Sequence, residues 1–373
     1  MLKSTSIILF FLWASLLSAQ NNTHIKIDKL PAEPKTFDLF LAGSFNKWNP
    51  ADEKFQFQRM GNGQFYIDID LPSGTYEYKI TRGSWKEAEC NADGSQKTNR
   101  ILKVEAKQIV LLDVEQWSDN FKAPEKAHTA SKNVSIIDTA FYIPQLKRKR
   151  AVSVYLPANY SITKERFPVM YLHDGQNIFD DARSYAGEWG IDEFLDSAKM
   201  RNCIVVAIDN SSDYRMNEYN PYNHSTFGKG EGADYVDFLA KTLKSYIDKH
   251  YRTKRNKSNT SIAGSSMGGL ISMFAILKYP KVFGGAGVFS PAFWVAPGIY
   301  DEINAKGRKV KGRIYFFAGK QEGETMVPYM LKAFEGLSAV SKSKISLIIR
   351  DEGMHNEATW RKEFPSFYQW ILK

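Results

Sequence analysis

At 373 residues the chain is too long for one ordinary core and suits two domains of unequal size. Hydrophobic residues at 43% and charged residues at 24% exclude a disordered or fibrous chain. The net charge of +9 comes from Lys and Arg spread along the sequence rather than clustered with stacking aromatics, which argues against a nucleic-acid binder.

Residues 1–20 have the pattern of a signal peptide. Lys3 supplies a positive start, Ile7 to Leu17 an apolar stretch, and Ser18-Ala19-Gln20 small residues for cleavage. The stretch is short for a membrane span and has no second apolar segment, so the expectation is a secreted or periplasmic protein with no span in its mature form. The two cysteines, Cys90 and Cys203, fall in different predicted domains. They are expected to be buried and unpaired, which leaves no disulfide framework and no cysteine metal site.

Residues 21–117 read as all-β. Phe37 to Ala42 is a mostly apolar run, and Phe65-Tyr66-Ile67-Asp68-Ile69 alternates at period two. Asn49-Pro50, Gly61-Asn62-Gly63 and Pro72-Ser73-Gly74 punctuate the strands, and Tyr76 to Ile80 and Ile109 to Val114 continue them. Short strands at this spacing predict a β-sandwich. Leu41-Ala42-Gly43-Ser44-Phe45-Asn46-Lys47-Trp48-Asn49-Pro50 and Gly74-Thr75-Tyr76-Glu77-Tyr78-Lys79 resemble early-set, immunoglobulin-like domains of the glycogen-binding type. That resemblance implies carbohydrate-binding ancestry. Trp48 and Trp85 offer rings for stacking on sugar, with Trp48 expected in the core instead.

Residues 118–133 are polar and read as a linker. From residue 134 to 373 strands alternate with helices, which predicts a largely parallel sheet covered on both faces. The basic run Lys147-Arg148-Lys149-Arg150 is expected to be a solvated lead-in to a strand from Ala151 to Leu156. Further strands are expected at Val169–Leu172, Cys203–Ile208, Ser258–Ala263, Ile314–Ala318 and Ile345–Ile349. Helices are expected near Ile191–Ala198, Gly232–His250, Met267–Tyr279 and Trp360–Leu372.

Within this region Gly264-Ser265-Ser266-Met267-Gly268 matches G-x-S-x-G between a strand and a helix. A serine there sits on a strained turn that pushes its hydroxyl into the open, and the following amide, of Met267, lies at a helix start where it can donate to an oxyanion. Ser266 needs a base to take its proton. Of six histidines only His355 follows Ser266, and it lies in the loop after the last predicted strand. The acid should follow the strand ending at Gly319. Glu322 is the first choice and Glu324 the second, ahead of Asp301 and Asp351. A second oxyanion amide is expected from Gln176 or Gly175, after the strand ending at His173. Arg215 and Tyr219 follow another strand end and are expected to rim the cleft and contact substrate, although a clasp between Arg215 and Glu218 fits the spacing equally well.

His173-Asp174-Gly175-Gln176-Asn177, Gly264-Ser265-Ser266-Met267-Gly268-Gly269 and His355-Asn356-Glu357-Ala358-Thr359-Trp360, in this order, resemble the putative-esterase family of α/β-hydrolases, which includes feruloyl, acetylxylan and enterochelin esterases and mycolyltransferases. The resemblance implies that Ser266 is the nucleophile and that the amides of Met267 and Gln176 form the oxyanion hole. It places the acid at Glu322, where such enzymes often have aspartate. It implies no metal and no cofactor. The expected activity is hydrolysis of acyl esters, feruloyl or acetyl, on polysaccharide. Siderophore ester hydrolysis, acyl transfer and a non-catalytic carbohydrate-binding role are the alternatives.

Overall fold

A computed structural model describes residues 21–32, 37–46, 48–121, 126–185, 187–198, 200–225 and 227–373. The predicted signal peptide lies outside them. The chain divides into two compact units between residues 124 and 125.

The first unit is a β-sandwich. One sheet has the order Gln58–Arg59, Phe65–Leu71, Asn21–Lys29, Gln108–Asp113, and the other Phe40–Gly43, Gly74–Thr81, Arg100–Val104. Period-two alternation sends Phe65, Ile67, Ile69 and Leu71 inward, where they meet Leu41, Tyr78, Ile80 and Leu102 of the second sheet. The core tryptophan is Trp117, fully buried. Trp48, expected in the core, is instead partly exposed beside Trp85, with ring centroids 6.2 Å apart. Its φ of 61° lies in the left-handed region, within the turn that follows Phe40–Gly43.

The second unit is an eight-stranded sheet. Its strands are β1 (Val134–Ile143), β2 (Arg148–Tyr155), β3 (Val169–His173), β4 (Ile204–Ile208), β5 (Thr260–Ser265), β6 (Gly285–Phe289), β7 (Arg313–Gly319) and β8 (Lys344–Arg350). The spatial order is β1-β2-β4-β3-β5-β6-β7-β8, with β1 and β2 antiparallel and β3 to β8 parallel. Alternate residues of each strand feed two cores. Tyr171 and Ile262 join one, with helix Met267–Lys278; Leu172 and Ala263 join the other, with helix Glu357–Ile371. Gly287 lets that last helix close on the sheet, since a Cβ there would lie 2.7 Å from the Phe367 ring.

The basic run is not a solvated lead-in. β2 begins at Arg148, and the pleat turns Arg148 and Arg150 to the same face, where both bind the buried Glu218 and Arg148 also binds Glu231. Carboxylates at the end of the short helix Arg215–Glu218 and just before the helix Gly232–Asp237 therefore fix two of the four charges.

Helix Ile191–Ser197 opens beside a carboxylate cluster. Burial pushes Glu188 and Asp192 up to about 7, and Glu193 adds to the repulsion on both. Arg361 stands 3.6 Å from Glu188, too far for a full hydrogen bond. A carboxyl raised in the folded state adds stability that is full below its unfolded value, near 4.3, and lost as pH rises through about 7. Glu188→Gln should therefore gain Tm relative to the parent as pH goes from 5 to 8. Thermal melts at the two pH values check this, and a pH-independent difference would refute it.

Candidate active site

The parallel strands end at one edge of the sheet, and the chemistry-bearing residues hang from those ends. β5 leads into Ser266, with φ 57° and ψ −119°, and the next residue, Met267, starts the helix Met267–Lys278. This conformation is strained for a serine and persists because its surroundings hold it. Its N–H donates to Phe289 O at 2.9 Å and its carbonyl accepts from Ala292 N at 3.0 Å, so both sides of the turn are tied to the end of β6. A Cβ at Gly264 would sit 3.1 Å from the Gly268 backbone, which is why the turn needs small residues.

Glu322 lies three residues beyond β7, its side chain fully buried. Oε1 accepts from Gly319 N at 2.5 Å and from Ser290 Oγ at 2.7 Å, and Oε2 faces His355 Nδ1 at 2.7 Å. Trp360 Nε1 donates to the same Ser290 Oγ at 2.9 Å, and its ring packs edge-on against His355 at 5.1 Å. The carboxylate is thus fixed by three donors, and the imidazole by the carboxylate and a ring. Glu324 is exposed and makes no contact with His355 among the described residues. One hydrogen bond joins Glu322 to His355; none joins Ser266 Oγ to His355 among the described residues, and such a bond commonly tightens only around substrate.

On the other side of the serine, β3 ends at His173 and Asp174 turns the chain with φ 56° into Gly175–Asn177. The amides of Gln176 and Met267 both belong to first helical turns, where N–H groups lack intrahelical acceptors. Asp174 holds this turn. It accepts from Arg215 Nε at 2.7 Å and Nη2 at 2.8 Å and from Asn210 Nδ2 at 2.6 Å. Burial alone would raise its pKa, but the Arg215 guanidinium and Asn210 outweigh it and hold the carboxyl below the usual carboxylate range. His173, fully buried against Tyr235 and Tyr219, is pushed down to about 4 and stays neutral. It supports the turn and does not reach the cleft.

Two expectations change here. Arg215 clasps Asp174, not Glu218, because Glu218 is already taken by Arg148 and Arg150. Tyr219 is no substrate contact: it is fully buried, and its hydroxyl accepts from Asp174 N at 3.2 Å. Sequence reasoning gave no role to Asp174, Ser290 or Trp360. Asp174 and Trp360 stood inside quoted motifs, while Ser290 had no signal beyond following a strand.

The profile of the putative-esterase family matches residues 143–371, and that of the pullulanase X25 domain matches residues 41–121. The chain is 27% identical over 240 residues to the uncharacterized protein YbbA of Bacillus subtilis, covering 60% of this chain and 92% of that one. It is 25% identical over 270 residues to an endo-1,4-beta-xylanase/feruloyl esterase of Xylanibacter ruminicola, covering 69% of this chain and 35% of that protein. Among solved structures, the enterobactin esterase FES of Shigella flexneri superposes with a TM-score of 0.54 at 15% identity, over 94% of this chain and 91% of that one, a likeness of fold.

Proposed function

Since this chain belongs to the putative-esterase family, we propose that Ser266, His355 and Glu322 are the nucleophile, base and orienting acid with which it hydrolyses carboxylic esters. The observation that carries this assignment is the buried Glu322 carboxylate, with one oxygen on His355 Nδ1 and the other held by Gly319 and Ser290. Glu322 keeps the Nδ1 proton in place, so Nε2 is free to accept. Ser266 Oγ attacks the acyl carbon as His355 Nε2 takes its proton, and the amides of Met267 and Gln176 receive the oxyanion. Collapse breaks the ester C–O bond, and His355 returns the proton to the leaving alcohol. Water then repeats the sequence on the acyl-enzyme, releasing the acid and restoring Ser266.

The substrate we infer is an acyl ester, feruloyl or acetyl, on polysaccharide outside the cell. Support comes from the signal-like start of the sequence, the match to the pullulanase X25 domain and the feruloyl esterase in the name of one relative. The Trp48–Trp85 pair, with Trp85 40% exposed, gives the first unit a platform of the kind that stacks on sugar rings. Trp85→Ala in the full chain should weaken retention on insoluble xylan or glucan by about tenfold and leave p-nitrophenyl acetate turnover unchanged. Equal retention would remove the platform.

The deciding experiment is a panel of p-nitrophenyl acetate, methyl ferulate, acetylated xylan and a catecholate trilactone. Faster turnover of methyl ferulate or acetylated xylan than of the trilactone is expected. The reverse order would move the substrate to a siderophore, and silence on all four would overturn the triad assignment.

A further inference from the structure

At the opposite end of the catalytic sheet, where β5 to β8 begin, a recess of about 490 Å³ opens to solvent. This volume falls within the range of small-ligand sites, roughly 300–1,000 Å³. Seven of its lining residues are Lys or Arg and none is Asp or Glu. Three of the cations are held in place by backbone oxygens. Arg201 donates to Leu372 O and Arg313 to Trp370 O, at the end of the helix Glu357–Ile371, and Lys257 donates to Lys311 O at 3.0 Å. The side chains of Lys311, Lys342 and Lys344 stand exposed around them. Among the described residues, none of these six cations is within 4.0 Å of a carboxylate, although ion pairs are common elsewhere in this unit.

Concentrating like charge around one concavity is unfavourable unless a counter-charge fills it, and low-dielectric walls focus the field into the opening. Arg148 and Arg150 are neutralised inside the unit, whereas six cations of this recess have no carboxylate partner among the described residues. The shape selects among polyanions. A membrane would meet a broader face with an apolar belt, and single-stranded nucleic acid would want stacked rings, which the lining does not present.

We propose that this recess binds a carboxylate-bearing oligosaccharide segment, a run of uronates, and tethers the protein to acidic polysaccharide. β5 has six residues, so the recess lies about 20 Å from the Ser266 turn, and a tethered segment does not touch the reacting atoms. The proposal stands apart from the identity of the ester, because it concerns retention and not turnover.

The test is retention of the full chain on immobilised polygalacturonate, set against Lys311→Gln/Lys342→Gln/Lys344→Gln and a charge-matched control, Lys103→Gln/Lys107→Gln/Lys132→Gln. The first variant should lose about tenfold or more in affinity and the control little, with both retaining p-nitrophenyl acetate turnover. Added salt should weaken the parent's binding. Equal loss in both variants would show attraction by net charge alone and overturn the site. So would no binding by the parent, or binding to phosphatidylserine vesicles without binding to polygalacturonate.

Discussion

Ser266→Ala is expected to lower kcat for ester hydrolysis by roughly a million-fold while the protein stays folded. The substitution removes only Oγ. The backbone that holds the turn, from Ser266 N to Phe289 O and from Ala292 N to Ser266 O, is untouched, and alanine occupies a positive φ no worse than serine. The residual rate would come from the oxyanion amides of Met267 and Gln176 and from binding. Steady-state kinetics on p-nitrophenyl acetate, with a thermal melt beside it, decide the matter. A variant that keeps more than about a hundredth of the parent rate would show that Ser266 is not the nucleophile.

Glu322→Gln is expected to cost about 10⁴-fold in kcat, and the hydrogen bonds say why. Gly319 N–H donates to Oε1, so the amide of a glutamine must place its own oxygen there. Its NH₂ then faces His355 Nδ1, which becomes an acceptor, and the ring proton moves to Nε2. A histidine protonated at Nε2 cannot take the proton of Ser266. The loss comes from tautomer and not from displaced atoms, so KM should change little. Glu324→Gln, on an exposed side chain of the same loop, should behave like the parent. Equal losses in the two variants would mean that the loop, not the carboxylate, is what matters.

Features encoded by neighbours in sequence were the readable ones. The strand, tight turn and helix around Ser266 are written in one stretch of glycines, and the alternation of strands and helices foretold a parallel sheet with helices on both faces. The loop after β7 was readable because the parallel strands end at one edge of the sheet, so a carboxylate just beyond a strand end can reach it, as Glu322 does and the exposed Glu324 does not. Pairings between distant residues were not readable. Arg215 and Glu218 are three apart and face one another on paper, yet Arg215 reaches back 41 residues to Asp174. Glu218 is claimed by arginines of β2, about 70 residues away, and their run looked solvated because nothing nearby balances it. Trp48 sits at a left-handed residue of a turn beside Trp85, and Tyr219 is buried against two neighbouring rings. Neither is visible in composition or period.

The Glu322–His355 pair rests on the ends of β7 and β8, and Ser290, which steadies it, on the end of β6. β8, the last strand in the sequence, sits at the sheet margin, and the loop bearing His355 follows it. Parallel pairing of this kind closes long loops and is slow. A refolding chain should therefore regain the far-ultraviolet signal of its helices and strands before it regains turnover, because the base, and Trp360 packed against it, are delivered only once β8 has docked. The return of turnover would then time the docking of β8.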